Sequence, residues 1–140
     1  MKLFANNGSK LRWGSVCCLL LLSACAGNVS KESQIEERAT ARWDALLSND
    51  VTTAYEHLSP GYRSSVSLDQ YHRSLLLRQV SWTAASYKGS ECTEVSCKVK
   101  ISLDYVVRGA IPGVKEFKGT QIVAESWVSV GGVWYLVPDK

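Results

Sequence analysis

The residues best placed to react with each other are Cys92 and Cys97, which four residues separate in a stretch of alternating polar and apolar side chains. If Glu94 and Val95 form a hairpin turn, the cysteines stand opposite each other as a non-hydrogen-bonded pair, with Cα atoms close enough for a disulfide. The rival interpretation is a redox-active pair. Such pairs usually have Cys-x-x-Cys spacing at a helix N-terminus, where a thiolate is stabilised. The spacing therefore favours a structural disulfide.

Metal ions and nucleic acids are not expected as ligands. Zinc usually takes four ligands, and His57 and His72 are both distant in sequence from the cysteine pair. The chain has 16 basic and 13 acidic residues, and its excess of +3 comes from Lys2, Lys10 and Arg12. Residues 25–140 are thus formally neutral, whereas nucleic-acid binding needs a concentrated positive face. No phosphate-binding loop or nucleophile elbow is present, so we expect no metal and no cofactor.

The first 24 residues have the composition of an export signal. Their basic start is followed by an apolar run over 16–22, and the small residues Ser23 and Ala24 precede Cys25. The run is shorter than the roughly 20 residues needed to span a bilayer. We interpret residues 1–24 as a cleaved signal, 25–30 as a tether and 31–140 as a domain with one core.

Hydrophobic spacing predicts three helices followed by four strands, an α+β arrangement. Helical spacing covers 31–48, 51–58 and 67–77, and Ser59-Pro60-Gly61 is predicted to end the second helix. After position 80 the apolar period changes from about 3.6 to 2. Strands are predicted over 82–87, 97–107, 116–130 and 133–137, with a loop at 109–115 and a tight turn at Gly131-Gly132.

The segment Leu22-Ser23-Ala24-Cys25 resembles the lipobox of bacterial lipoproteins, whose cysteine is acylated and becomes the first residue of the mature chain. The resemblance implies lipidation at Cys25 and a membrane contact through the lipid. Ala26 is not the aspartate that favours retention at the inner membrane, which implies an outer-membrane position facing the periplasm. The alternative is an ordinary cleaved signal that leaves Cys25 as a free thiol.

A second resemblance covers about residues 34–138. The stretches 41–50 and 54–63, the latter with Leu-Ser-Pro-Gly-Tyr-Arg, and the closing hairpin 128–136 are similar to the NTF2-like (ketosteroid-isomerase-like, cystatin-like) superfamily. This resemblance implies a cone, in which N-terminal helices pack in a curved antiparallel sheet of about four strands.

Enzymes of this superfamily transfer protons or dehydrate with an aspartate or histidine inside the cone. The resemblance therefore makes candidates of Asp44, His57, Asp69, His72 and Asp104. Asp104 lies on the polar side of its predicted strand, whereas Asp44 lies beside the apolar stripe of the first helix. A pocket in the cone is expected to be lined by Trp43, Asp44, Tyr55, Tyr105 and Trp127.

The expected function is non-catalytic binding, by a membrane-anchored domain, of an envelope protein, a peptide or a small apolar ligand. The alternative is a small lyase or isomerase that uses Asp44 or His57. An open cavity holding a carboxylate or imidazole against a second polar group would favour the enzyme. A cavity filled by Trp43, Tyr105 and Trp127 would favour binding through the outer surface.

Overall fold

A computed structural model describes residues 30–139. Four helices come first: α1 (Lys31–Leu47), α2 (Val51–Glu56), α3 (Pro60–Ser65) and α4 (Leu68–Leu76). Four strands follow: β1 (Val80–Cys92), β2 (Ser96–Ile111), β3 (Val114–Val130) and β4 (Val133–Val137). No helix in residues 30–139 is long and apolar enough to cross a membrane.

Each helix begins at a side chain that accepts a backbone hydrogen bond. Ser30, Asp50, Ser59 and Ser67 cap α1 to α4 in turn. At α4 the Gln70 side chain also accepts from the backbone N–H of the cap, which completes a capping box.

The strands form an antiparallel sheet in the order β1-β2-β3-β4. Gly131 and Gly132 join β3 to β4 with φ of 60° and 81°. A two-residue hairpin turn of this kind needs positive φ at both positions, which glycine adopts without strain.

The core lies between the apolar stripe of α1 and the inner face of the sheet. Side chains three or four positions apart on α1 are buried, as the helical spacing predicted. They pack against alternate residues of the central strands. The buried set includes Ile35, Ala39, Trp43 and Leu46 from α1, and Val99, Ile101, Leu103 and Trp127 from the sheet.

The α+β class and the four-stranded antiparallel sheet are present, but the predicted NTF2-like cone around three helices is wrong. Both α1 and β3 contain 17 residues. A helix rises about 1.5 Å per residue and a strand about 3.3 Å, so α1 covers less than half the length of β3. The far end of the β2–β3 hairpin therefore extends beyond the helices, and Phe117 is 48% exposed there.

Further boundaries differ from the sequence prediction. The strand predicted over 82–87 is longer, since β1 begins at Val80 and ends at Cys92. Ser59 and Pro60 begin an additional helix, α3, because proline at the first helical position needs no N–H partner. The predicted loop at 109–115 is mostly strand, since Ile111 pairs with Val114 across a turn in which Gly113 has φ of 82°.

Candidate functional site

A buried ion pair joins the first helix to the third strand. Arg42 lies on the covered side of α1 next to Trp43, and both are buried. Glu125 and Trp127 lie two positions apart on β3 and therefore share the inner face of the sheet. Packing α1 on that face brings the four side chains together.

The Glu125 carboxylate is the centre of this cluster. Its Oε1 accepts hydrogen bonds from Arg42 Nη1 at 2.8 Å and from Trp43 Nε1 at 3.0 Å. Its Oε2 accepts from Trp127 Nε1 at 3.0 Å. The Arg42 and Glu125 side chains are each 9% exposed, and Arg42 Nε has no hydrogen-bond partner within the described chain. Three donors thus hold one carboxylate in a fixed orientation.

An open cleft of about 530 Å³ lies beside this cluster. Arg42, Trp43 and Glu125 form part of its lining, and β4 with the two residues after it forms another part. Most of the remaining lining is apolar: Val80, Trp82, Leu103, Val123, Ala124, Leu136, Val137 and Pro138. The cleft therefore combines apolar walls with a charged pair that is already neutralised.

Arg78 stands against an aromatic pair in the lining of this cleft. Its guanidinium carbon is 4.7 Å from the centroid of the Trp82 ring. Trp82 in turn meets Trp43 edge to face, with centroids 4.9 Å apart. Arg78 is exposed and takes part in none of the ion pairs found in residues 30–139. Stacking positions the guanidinium and leaves its N–H groups available to an anion.

The five side chains predicted to line a pocket lie in four places. Trp43 and Trp127 converge on Glu125. Asp44 is exposed on the other side of Trp43, and Tyr55 donates to the Val66 carbonyl oxygen at 2.7 Å. Tyr105 lies over Gly119 and beside Phe117, toward the end of the sheet that the helices leave uncovered.

Asp69 and Asp104, two of the predicted acid–base candidates, lie outside the cleft. Asp69 forms an exposed ion pair with Arg73, and Asp104 accepts from Thr120 on an exposed part of the sheet.

The two histidines also lie outside the cleft lining and differ in burial. His72 is exposed, whereas His57 is buried. The Nδ1 atom of His57 lies 2.8 Å from the Thr53 carbonyl oxygen, which can only accept, so Nδ1 carries the proton. Burial lowers the pKa of His57 below its ordinary value of 6.5. Residues 30–139 contain no group of three or more His, Cys, Asp or Glu side chains that could hold a metal ion.

Cys92 and Cys97 are joined by a disulfide at the β1–β2 hairpin, with Cα atoms 4.1 Å apart. The Thr93 N–H donates to the Ser96 carbonyl oxygen at 2.8 Å. The cysteines are thus the first facing pair beyond the hydrogen-bonded pair that closes the turn. Cys25, the predicted signal and residues 25–29 of the tether lie outside the described residues.

The sequence interpretation missed Arg42 and Glu125, although both carried a signal. Arg42 follows Ala39 by three residues on α1, which places it in the apolar stripe. Glu125 lies between Val123 and Trp127 at an inward position of a period-2 strand. A single charge on each of two buried faces, opposite in sign, indicates a pair.

No family model and no curated protein matches the chain. The chain is similar to the solution structure of a SEC-C motif containing protein from Rhodopseudomonas palustris, at 16% identity and a TM-score of 0.54. The match covers 72% of this chain and 73% of that one. The comparison gives no support to the assignment to bacterial lipoproteins with an NTF2-like domain. The NTF2-like part of that assignment is wrong, because it rested on short cap and turn sequences that many folds share. What the comparison supports is a shared fold with the SEC-C motif containing protein.

Proposed function

We propose that this chain is a non-catalytic binding protein whose cleft takes a small ligand with an apolar body and one anionic group. The observation that carries this proposal is the exposed Arg78 guanidinium, held over Trp82 in the lining of an open, mostly apolar cleft. Apolar walls bind the body of such a ligand, and a few positioned polar groups orient it.

The charge in the cleft supports an anionic group. The charge of Glu125 is balanced by Arg42, and its two oxygens also accept from two indole N–H groups, so it does not offer a free negative charge to a cation. Arg78 is the guanidinium in the lining without an ion pair among residues 30–139. Asp139 also lines the cleft, and its charge should weaken the binding of an anion.

The second candidate function is a small lyase or isomerase, and Glu125 is the observation that favours it. The cleft is open and holds this carboxylate against other polar groups, which is the arrangement expected of an acid–base enzyme. A general base must also reach its substrate with a free acceptor site. Three of the roughly four acceptor sites of a carboxylate are occupied in Glu125, which favours binding over catalysis.

Titration with decanoate tests the proposal, because Trp82 and Trp43 report occupancy of the cleft by their fluorescence. Arg78→Ala should weaken decanoate binding at least about tenfold, the value of a charge-assisted hydrogen bond. The matched variant Arg108→Ala removes an exposed arginine that does not line the cleft and should change nothing. Asp139→Asn should tighten binding.

Decanol provides the chemical control, since it has the same apolar body without the charge. Equal binding of decanoate and decanol, or equal binding by the wild type and Arg78→Ala, contradicts an anion-selective cleft. Turnover of a small molecule that is lost in Glu125→Gln, with the fold retained, would favour the enzyme instead.

We also propose that the domain is exported and anchored through a lipid on Cys25, at the outer membrane and facing the periplasm. Two features support export to an oxidising compartment: the leader-like composition of residues 1–24 and the Cys92–Cys97 disulfide. A single acyl chain binds membranes only marginally, so stable anchoring needs two or more. The intact mass of the mature chain tests it, and a mass without acyl groups on Cys25 refutes the anchor.

A further inference from the structure

The third strand has a long unpaired edge. β3 runs over Val114–Val130, but β4 pairs only with its last part, from Ser126 to Val130. Val114 and residues 116–125 pair with β2 on one side, and no strand of the described chain pairs with residues 114–125 on the other side. Such an edge presents backbone N–H and C=O groups that another strand can bind.

The hydrogen-bonding phase of the sheet identifies the residues whose backbone groups point outward. Thr93 and Ser96 form a hydrogen-bonded pair, so Cys97 bonds toward β3, where it faces Trp127. Odd-numbered residues of β3 therefore bond to β2, and even-numbered residues point to the other side. Val130 and Val133, which flank the two-residue turn, fit this phase. On the open edge the outward groups belong to residues 116, 118, 120, 122 and 124.

The two edges of the sheet are protected differently. β1, the opposite edge, has register shifts between Trp82 and Ala84 and between Tyr87 and Gly89. Bulges of this kind interrupt the regular row of donors and acceptors and hinder pairing with another strand. The β3 edge has an unbroken register from Glu116 to Val128. It is the regular edge and thus the one suited to add a strand.

We infer that the open edge of β3 pairs antiparallel with the same edge of a second copy, around a two-fold axis at Phe117. In this register Glu116 of each copy faces Lys118 of the other. Both residues are even-numbered, so their backbone N–H and C=O groups point outward and can form a hydrogen-bonded pair. Opposite charges directly across strands stabilise pairing, and like charges oppose it. Phe117, which is 48% exposed, faces its counterpart.

Neighbouring registers are less favourable for electrostatic reasons. Moving the axis by one residue places either Lys118 opposite Lys118 or Glu116 opposite Glu116. Registers further toward Ile122 leave both charges opposite uncharged side chains. Glu116 and Lys118 already lie 3.2 Å apart within one chain and are partly exposed, so both side chains are accessible to the second copy.

Pairing over residues 114–120 leaves the ligand cleft free, because the cleft is lined by β3 only from Gln121 to Ser126. The inference is therefore independent of the proposed function. Seven paired residues bury less than the roughly 800 Å² per partner of a standard interface. The dimer should accordingly be weak and form at high micromolar concentrations.

Sedimentation equilibrium of the full chain tests this pairing through a charge exchange. Glu116→Lys and Lys118→Glu each place like charges opposite each other in a homodimer, and each should weaken dimerisation at least about tenfold. An equimolar mixture of the two variants restores both opposite-charge pairs and should dimerise as the wild type does. Circular dichroism of each variant alone checks that its fold is retained.

The mixture separates this register from other forms of association. A wild type that stays monomeric to millimolar concentration overturns the inference, as do single variants that dimerise like the wild type. Failure of the mixture to restore dimerisation refutes the register at Phe117.

Discussion

The buried carboxylate gives the sharpest prediction about stability. Glu125→Gln keeps the size of the side chain but removes its charge and one of its two acceptor atoms. If the amide oxygen takes the place of Oε1, Arg42 and Trp43 keep an acceptor, and the Trp127 N–H faces an NH₂ group. In the opposite amide orientation the NH₂ group faces Arg42 and Trp43, so two donors lose their acceptor instead of one. Either way, the Arg42 guanidinium stays buried without a countercharge.

The expected loss follows from these contacts. One orphaned buried donor costs about 1–3 kcal/mol, and removing one partner of a buried ion pair costs about 3–5 kcal/mol in total. We expect Glu125→Gln to lower the free energy of unfolding by about 3–5 kcal/mol. The free energy of unfolding of a typical domain is only about 5–15 kcal/mol, so the variant should be marginally stable.

Urea unfolding at 25 °C, followed by tryptophan fluorescence, measures this change. The matched control is Glu116→Gln at the Arg108–Glu116 pair, whose side chains are 66% and 35% exposed and which should lose less than about 1 kcal/mol. The double variant Arg42→Met/Glu125→Gln should recover part of the loss, because no buried charge remains. A loss at Glu125 as small as that at Glu116 would refute the reasoning.

Two other predictions concern the disulfide and pH. Thiol labelling of the denatured chain should find Cys92 and Cys97 unreactive until they are reduced. Replacing both by serine should lower the free energy of unfolding by about 2 kcal/mol and leave the fold intact, because the disulfide closes only a short loop. Complete unfolding of the double variant would contradict this prediction. The lowered pKa of His57 means that the unfolded chain binds its proton more readily, so stability should fall as the pH drops below about 6.5 toward the folded-state pKa of His57. His57→Asn retains a donor for the Thr53 carbonyl and should reduce the dependence of the melting temperature on pH between pH 6.5 and 5. His72→Asn, at an exposed site, should not reduce it. Equal pH dependence in the two variants would disprove the assignment of this effect to His57.

Local patterns predicted the secondary structure well where a cap or a period was complete. The stripe of α1 and the alternation of β2 both correspond to elements in the structure, and so does the Gly131-Gly132 turn. These local patterns could not predict how the helices and the sheet are arranged relative to each other. Whether helices enclose a sheet depends on the relative lengths of the packed elements, and the extended β2–β3 hairpin was predicted as shorter strands joined by a loop.

The candidate site was predictable only in part. Trp43 was expected to line a pocket and lines the cleft, yet Tyr55 and Tyr105 of the same expected pocket lie elsewhere. Arg42 and Glu125 are distant in sequence, and their pairing depends on the register of β3 against α1, which periodicity does not determine. A charge on a buried stripe predicts that a partner exists, and the fold decides which residue it is.

The first helix and the last strand are joined directly, and this has a consequence for how the chain is made. Arg38 of α1 donates to the Trp134 carbonyl oxygen at 3.0 Å, and the backbone of Leu136 bonds to His57 and Ser59 after α2. During synthesis, α1 therefore leaves the ribosome long before the strand that completes its surroundings. Until β4 emerges, the nascent domain should remain incompletely folded.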